Sequence, residues 1–95
     1  MRKLKLFNSF ISTGSYSEFV KNIFELSEQK DSSYVCVCNV HMMVESIESV
    51  RFNNILNNAD IVTPDGMPIV KLISWKYKIN QERVAGMDLI KDLVH

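Results

Sequence analysis

Apolar residues in this chain fall into two kinds of run, and the difference between them predicts an order of elements. Lys3-Leu4-Lys5-Leu6-Phe7 alternates polar and apolar, the period-two pattern of a half-buried strand. Asn8 to Gly14 continues as a second edge strand ending in a turn. Phe19, Val20, Ile23 and Phe24 then recur at helical spacing behind Ser15-Tyr16-Ser17-Glu18. That tetrad has the capping-box spacing, with Ser15 as N-cap and Glu18 reaching back. It predicts a helix from about Tyr16 to Gln29, followed by a polar connection at Lys30-Asp31-Ser32-Ser33.

Tyr34-Val35-Cys36-Val37-Cys38 is apolar without alternation, as expected of a strand covered on both faces. His41 to Ser49 is weakly helical, and Val50 to Leu56 adds a further turn or two, closed by Asn57-Asn58. Ala59-Asp60-Ile61-Val62-Thr63 reads as a second buried strand, and Pro64-Asp65-Gly66 as a turn. Met67 to Tyr77 predicts a mostly buried helix, with Pro68 in the first turn, where a missing N–H costs nothing. Gln81 to Gly86 is a link, and Met87 opens a helix that runs to His95 without a C-cap. Met42, Met43 and Trp75 are read as core, Glu45 and Glu48 as a solvated helix face, and His41 as structural. Strands alternating with helices predict the α/β class, as a Rossmann-like layered sheet with mostly parallel core strands. Only two strands look central and the last helix is uncapped, so the sheet is expected to be incomplete.

Composition narrows this picture. A chain of 95 residues suits one small domain or a piece of a larger one. The 11 basic and 11 acidic residues balance, which argues against an unaided grip on nucleic acid, where a clustered positive excess is needed. No apolar run reaches the ~18 residues that span a bilayer. Asn8, Ser9 and Ser12 interrupt any signal-peptide core, so a cytoplasmic location is expected. Cys36 and Cys38 share one strand face, and no second pair stands at metal-ligand spacing. They are read as buried free thiols, and neither a metal nor a cofactor is expected.

Candidate chemistry gathers where the two central strands end. In open α/β sheets, ligands bind beyond the carboxyl ends of the strands. Asn39 and Asp65-Gly66 stand there, and would face one crevice if the strands are neighbours. Gly66 allows close backbone approach, and N–H groups at Gly66 and Met67 offer a rest for a phosphate. Arg83 and Gly86 lie one helix later, within reach of the same edge. Each residue also has a plainer reading: Asp65 as the cap of the next helix, Asn39 as a strand-ending turn residue, Arg83 as a solvated or ion-paired side chain.

Three blocks, taken together, carry a resemblance. Cys38-Asn39-Val40-His41-Met42, Ala59 to Pro68, and Glu82-Arg83-Val84-Ala85-Gly86-Met87-Asp88-Leu89 resemble the N-terminal portion of the WecG/TagA/CpsF glycosyltransferases, glycosyltransferase family 26. The resemblance runs from about Phe7 to His95, so residues 1–95 are read as the N-terminal portion of such a domain. It implies an inverting enzyme that moves a sugar of the N-acetylmannosamine type from a UDP-sugar to an undecaprenyl-diphosphate-linked acceptor. The products would serve teichoic acid, capsule or other cell-surface polysaccharide synthesis. By the same resemblance Asp65 is the general base, while Asn39, Gly66, Met67, Arg83 and Gly86 bind substrate. It also implies a peripheral place at the inner face of the cell membrane for a full-length form. Many members carry Thr two residues before the Asn, where this chain has Val37. Members are also longer, which leaves open a truncated, non-catalytic nucleotide-sugar-binding or oligomerisation module, with homo-oligomers covering exposed faces.

Overall fold

The computed structural model describes residues 1–29 and 33–93. The polar connection over 30–32 and the end of the last helix beyond Leu93 lie outside the described residues. The elements run β1 (Lys3–Leu6), β2 (Ser9–Ser12), α1 (Tyr16–Ser27), β3 (Val35–Cys38), α2 (Val40–Glu48), α3 (Val50–Asn57), β4 (Ile61–Pro64), α4 (Met67–Tyr77) and α5 (Gly86–Leu93). No helix among the described residues is long and apolar enough to cross a membrane.

β1 and β2 pair antiparallel through a two-residue connection, Phe7-Asn8, with Leu6 opposite Ser9. A link that short permits only the antiparallel arrangement. Phe7 sits at φ 56°, a left-handed conformation that bulky residues rarely adopt. β3 and β4 pair parallel, Val35 with Ile61 through to Cys38 with Pro64. The mixed α/β class is as expected. The described strands form two small sheets, however, one antiparallel and one parallel, and not the mostly parallel layered sheet anticipated. β2 lies against β4, where the Val62 N–H donates to the Ser12 hydroxyl at 2.9 Å. A side chain there takes the place of a backbone ladder.

Alternation along β3 and β4 sends successive side chains to opposite faces, each with its own core. Cys38 and Val62 join Leu6, Ile11, Met43, Leu56, Ile69 and Ile73, with Cys36 packed against them, so α2, α3 and α4 share one cluster. Ile61 joins Phe19, Val84 and Leu89, with Val35, Tyr16 and Val20 alongside, so α1 and α5 share the other. β4 is buried throughout, whereas β3 is only half-buried before Cys38. The continuous apolar run of β3 predicted cover on both faces. Among the described residues β3 has a strand neighbour on one side alone, and this leaves it part-exposed.

α1 starts with the expected capping box: Ser15 accepts from the Glu18 N–H, and Glu18 accepts from the Ser15 N–H. Its helical span closes at Ser27, two residues before the predicted end. α4 departs further from expectation. Ile69, Val70 and Ile73 are buried, but Trp75 is 82% exposed. Two residues turn a helix by roughly 200°, so Trp75 points away from the face that Ile73 buries. Met43 is buried and Met42 packs against the same cluster, as core residues should. Glu45 and Glu48 are exposed, and His41, also exposed, lies 3.8 Å from the Glu45 carboxylate.

A polar seam joins the hairpin to α2 and α3. The buried Ser9 and Ser46 hydroxyls are 2.7 Å apart. Asn53 donates to Ser46 Oγ and to the Asn8 carbonyl, and Asn57 accepts from the Phe10 N–H. Among the described residues no buried side-chain nitrogen or oxygen lacks a partner. The price of burying polar groups here is thus offset by hydrogen bonds.

Candidate active site

The parallel pairing of β3 and β4 brings the two strand ends together, which the sequence could only suppose. The Asp65 N–H donates to the Cys38 carbonyl at 2.9 Å, one step beyond the ladder. The next residue along β3 is Asn39, so amide and acid share one edge. Asn39 is the N-cap of α2, and its Oδ1 accepts from the Met42 N–H at 3.0 Å. The turn-residue reading of Asn39 therefore holds in the sharper form of a helix cap. Asn39 itself is exposed at this edge.

Asp65 does not cap α4. The N-cap is Gly66, with no side-chain capping bond. Gly66 stands at φ 94°, ψ 140°, a conformation essentially reserved for glycine. An added Cβ would meet only the Pro68 Cδ at 3.9 Å, so the backbone, and not crowding, requires glycine here. The start of α4, at Met67, therefore has no side-chain cap at the positive end of the helix dipole.

Arg83 reaches this edge as anticipated. Its Nε lies 3.9 Å from Asp65 Oδ1, with the Arg83 side chain 55% exposed and that of Asp65 24%. A pair so loose and wet contributes about 0–1 kcal/mol. Neither partner is locked, and each can turn to a ligand. Arg83 is delivered by the backbone: the Val84 N–H donates to the Pro64 carbonyl at 3.0 Å, laying the Gln81–Gly86 segment beside the end of β4. Gly86 lies against Val37, where a Cβ would sit 3.5 Å from Val37 Cγ2. That is ordinary contact, and Gly86 opens α5 without a special φ. Val37 presents a methyl to this packing.

Beside Arg83 a polar depression of about 280 Å³ is lined by Tyr16, Arg83, Asp88, Lys91 and Asp92. The Tyr16 hydroxyl donates to Asp92 Oδ2. That bond, then burial and the charges of Asp92 and Asp88, push the Tyr16 hydroxyl up to about 12. A larger, mostly apolar groove of about 550 Å³ lies between α1 and the end of α5, against Val20, Phe24 and Leu93, away from Asp65. Pattern reading missed Tyr16, Asp92 and Gln81, because nothing in their spacing shows that three separate segments meet. Both cysteines are free; Cys38 is buried as read but Cys36 only half-buried, and burial raises the Cys36 thiol and pushes that of Cys38 up to about 11. Thiols held protonated are poor nucleophiles and poor metal ligands. Among the described residues no three His, Cys, Asp or Glu side chains stand together as a metal cluster.

An acid, an amide and an arginine thus gather at the carboxyl edge of a parallel strand pair, the edge at which open α/β sheets bind ligands. The chain matches the glycosyl transferase WecG/TagA/CpsF family over residues 4–95, and it belongs to that family. It is also 28% identical over 67 residues to the N-acetylglucosaminyldiphosphoundecaprenol N-acetyl-beta-D-mannosaminyltransferase of Bacillus spizizenii. The match covers 70% of this chain and 26% of that relative.

Proposed function

We propose that this chain forms the catalytic corner of an inverting glycosyltransferase. In this reading it transfers a sugar of the N-acetylmannosamine type from a UDP-sugar to an undecaprenyl-diphosphate-linked acceptor, in teichoic acid or other cell-surface polysaccharide synthesis. The acceptor's lipid puts the reaction at the inner face of the cell membrane. The observation that carries the reading is the Asp65 carboxylate: part-exposed at the strand edge, not used as a helix cap, and 3.9 Å from a half-exposed guanidinium. The acceptor and sugar class follow the name of the Bacillus relative.

The chemistry needs one base and one stabiliser of the leaving group. Asp65 takes the proton of the acceptor hydroxyl as that oxygen bonds to the anomeric carbon. The bond from that carbon to the diphosphate breaks on the opposite face, and UDP leaves with the electron pair, so configuration inverts. Arg83 swings from Asp65 to the diphosphate, where its fork donates two hydrogen bonds to the oxygens gaining charge. The Met67 N–H at the start of α4 adds a donor for the same anion. The Asn39 amide orients the sugar or the base, and Gly66 and Gly86 let a ligand come close to the backbone.

The test is Asp65→Asn in the full-length gene product, which keeps shape and removes the base. Transfer from UDP-N-acetylmannosamine to a lipid-linked N-acetylglucosamine acceptor, followed by mass spectrometry, is expected to fall by about 100-fold or more, the scale of a lost general base. The melting temperature should hold within a few degrees. Unchanged turnover in the folded variant would remove Asp65 from the mechanism.

A further inference from the structure

Gln81 is buried to 5% exposure in a segment that pattern reading treats as a mere link. Its side chain makes a two-pronged contact with one residue 67 positions away in the chain. Oε1 accepts from the Gly14 N–H at 3.0 Å, and Nε2 donates to the Gly14 carbonyl at 2.8 Å. Nε2 also donates to the Glu82 carbonyl at 3.0 Å, and the Gln81 N–H donates to the Ser74 hydroxyl of α4 at 3.1 Å. Next along the chain, Glu82 Oε2 accepts from the Tyr16 N–H at 2.8 Å, at the first turn of α1, where a carboxylate meets the positive end of the helix. Then comes Arg83, and after it Val84, tied to Pro64. Arg83 is thus held between a clamp on the β2–α1 turn and a backbone bond to the end of β4, while its own side chain makes only the loose contact with Asp65.

We infer that Gln81 is a positioning residue for Arg83: by gripping both backbone groups of Gly14 it sets where the guanidinium stands relative to Asp65 and the ligand. The inference rests on the proposed reading of Arg83 as a diphosphate-binding residue. Only a carboxamide supplies donor and acceptor side by side at neutral charge, which matches the N–H and C=O of Gly14. Gly14 stands at φ 143°, a conformation that favours glycine, so the turn that Gln81 grips depends on that residue. Buried amide and anchored backbone together hold the Arg83 side chain to one region, as a supporting shell does for a binding group.

The experiment is a double-mutant cycle on the full-length gene product, read as the Kd of UDP by calorimetry and the donor kcat and KM. Arg83→Ala should weaken UDP roughly 10- to 100-fold, the scale of one lost charge-assisted hydrogen bond. Gln81→Ala should weaken UDP by about tenfold with a smaller change in kcat, since a misplaced group loses part of its contact. In the Arg83→Ala background, Gln81→Ala should have almost no further effect, because both act through one side chain. Gln81→Glu keeps the acceptor for the Gly14 N–H and loses the donor, so it carries the comparison if Gln81→Ala does not fold. An unchanged UDP affinity in Arg83→Ala overturns the reading of the site. A normal response to Arg83→Ala with a silent Gln81, or equal Gln81 effects in both backgrounds, overturns the clamp alone.

Discussion

Two glycines flank the candidate site, and the structure says that only one of them has to be glycine. Gly66, at φ 94° and ψ 140°, occupies a region that costs an L-residue about 1–3 kcal/mol. Space is not the obstacle, since the nearest atom to an added Cβ is 3.9 Å away. Gly66→Ala should therefore destabilise the chain by about 2 kcal/mol through the backbone alone. For a domain of this size, 1 kcal/mol moves the melting temperature by roughly 4–8 °C, so a drop of about 8–16 °C is expected. Gly86 supplies the control. Its φ is ordinary, its Cβ would reach Val37 at 3.5 Å, and it opens α5. Alanine there trades a van der Waals contact for helix propensity of up to about 1 kcal/mol in its favour. Thermal unfolding by circular dichroism of both variants beside the parent measures the difference. If Gly66→Ala melts within 2 °C of the parent, or if both alanines cost the same, the backbone account of Gly66 is wrong.

Two further predictions concern stability. Phe7 is exposed and takes φ 56° in the hairpin turn, so Phe7→Gly should stabilise by about 1 kcal/mol by removing that strain, raising the denaturant midpoint with an unchanged slope. Alkali should destabilise the fold in a defined window. Tyr16 and Cys38 are held protonated, at about 12 and about 11 against ordinary values of 10.0 and 9.0. Above those ordinary values the unfolded chain gives up protons that the folded chain keeps, so stability is intact below about pH 9 and declines as pH rises through 11 and 12. Tyr16→Phe should flatten the upper part of that decline in urea titrations at pH 10 to 12, and a decline of unaltered shape would refute the role of Tyr16.

Local signals read well because their physics is local. The Ser15–Glu18 capping box satisfies two N–H groups three residues apart, and no distant residue can overrule it. The strands at Val35–Cys38 and Ile61–Pro64 were legible because β-branched apolar runs bounded by polar residues have few other uses. Trp75 misled for the opposite reason: a large apolar residue marks a core only if its helix face is covered, and cover is a property of neighbours.

The sequence by itself determined the α/β class, the element order, the family and the residue types able to do acid–base and diphosphate chemistry. It did not determine that Asp65 escapes the role of helix cap, which depends on the φ of Gly66. Nor did it determine that Arg83 meets Asp65, which depends on Val84 pairing with Pro64 and on Gln81 gripping Gly14 across 67 residues of chain. Those contacts join segments far apart in sequence. Their loop-closure entropy is met only when the two apolar clusters on either side of β4 form together, so tertiary packing alone decides them.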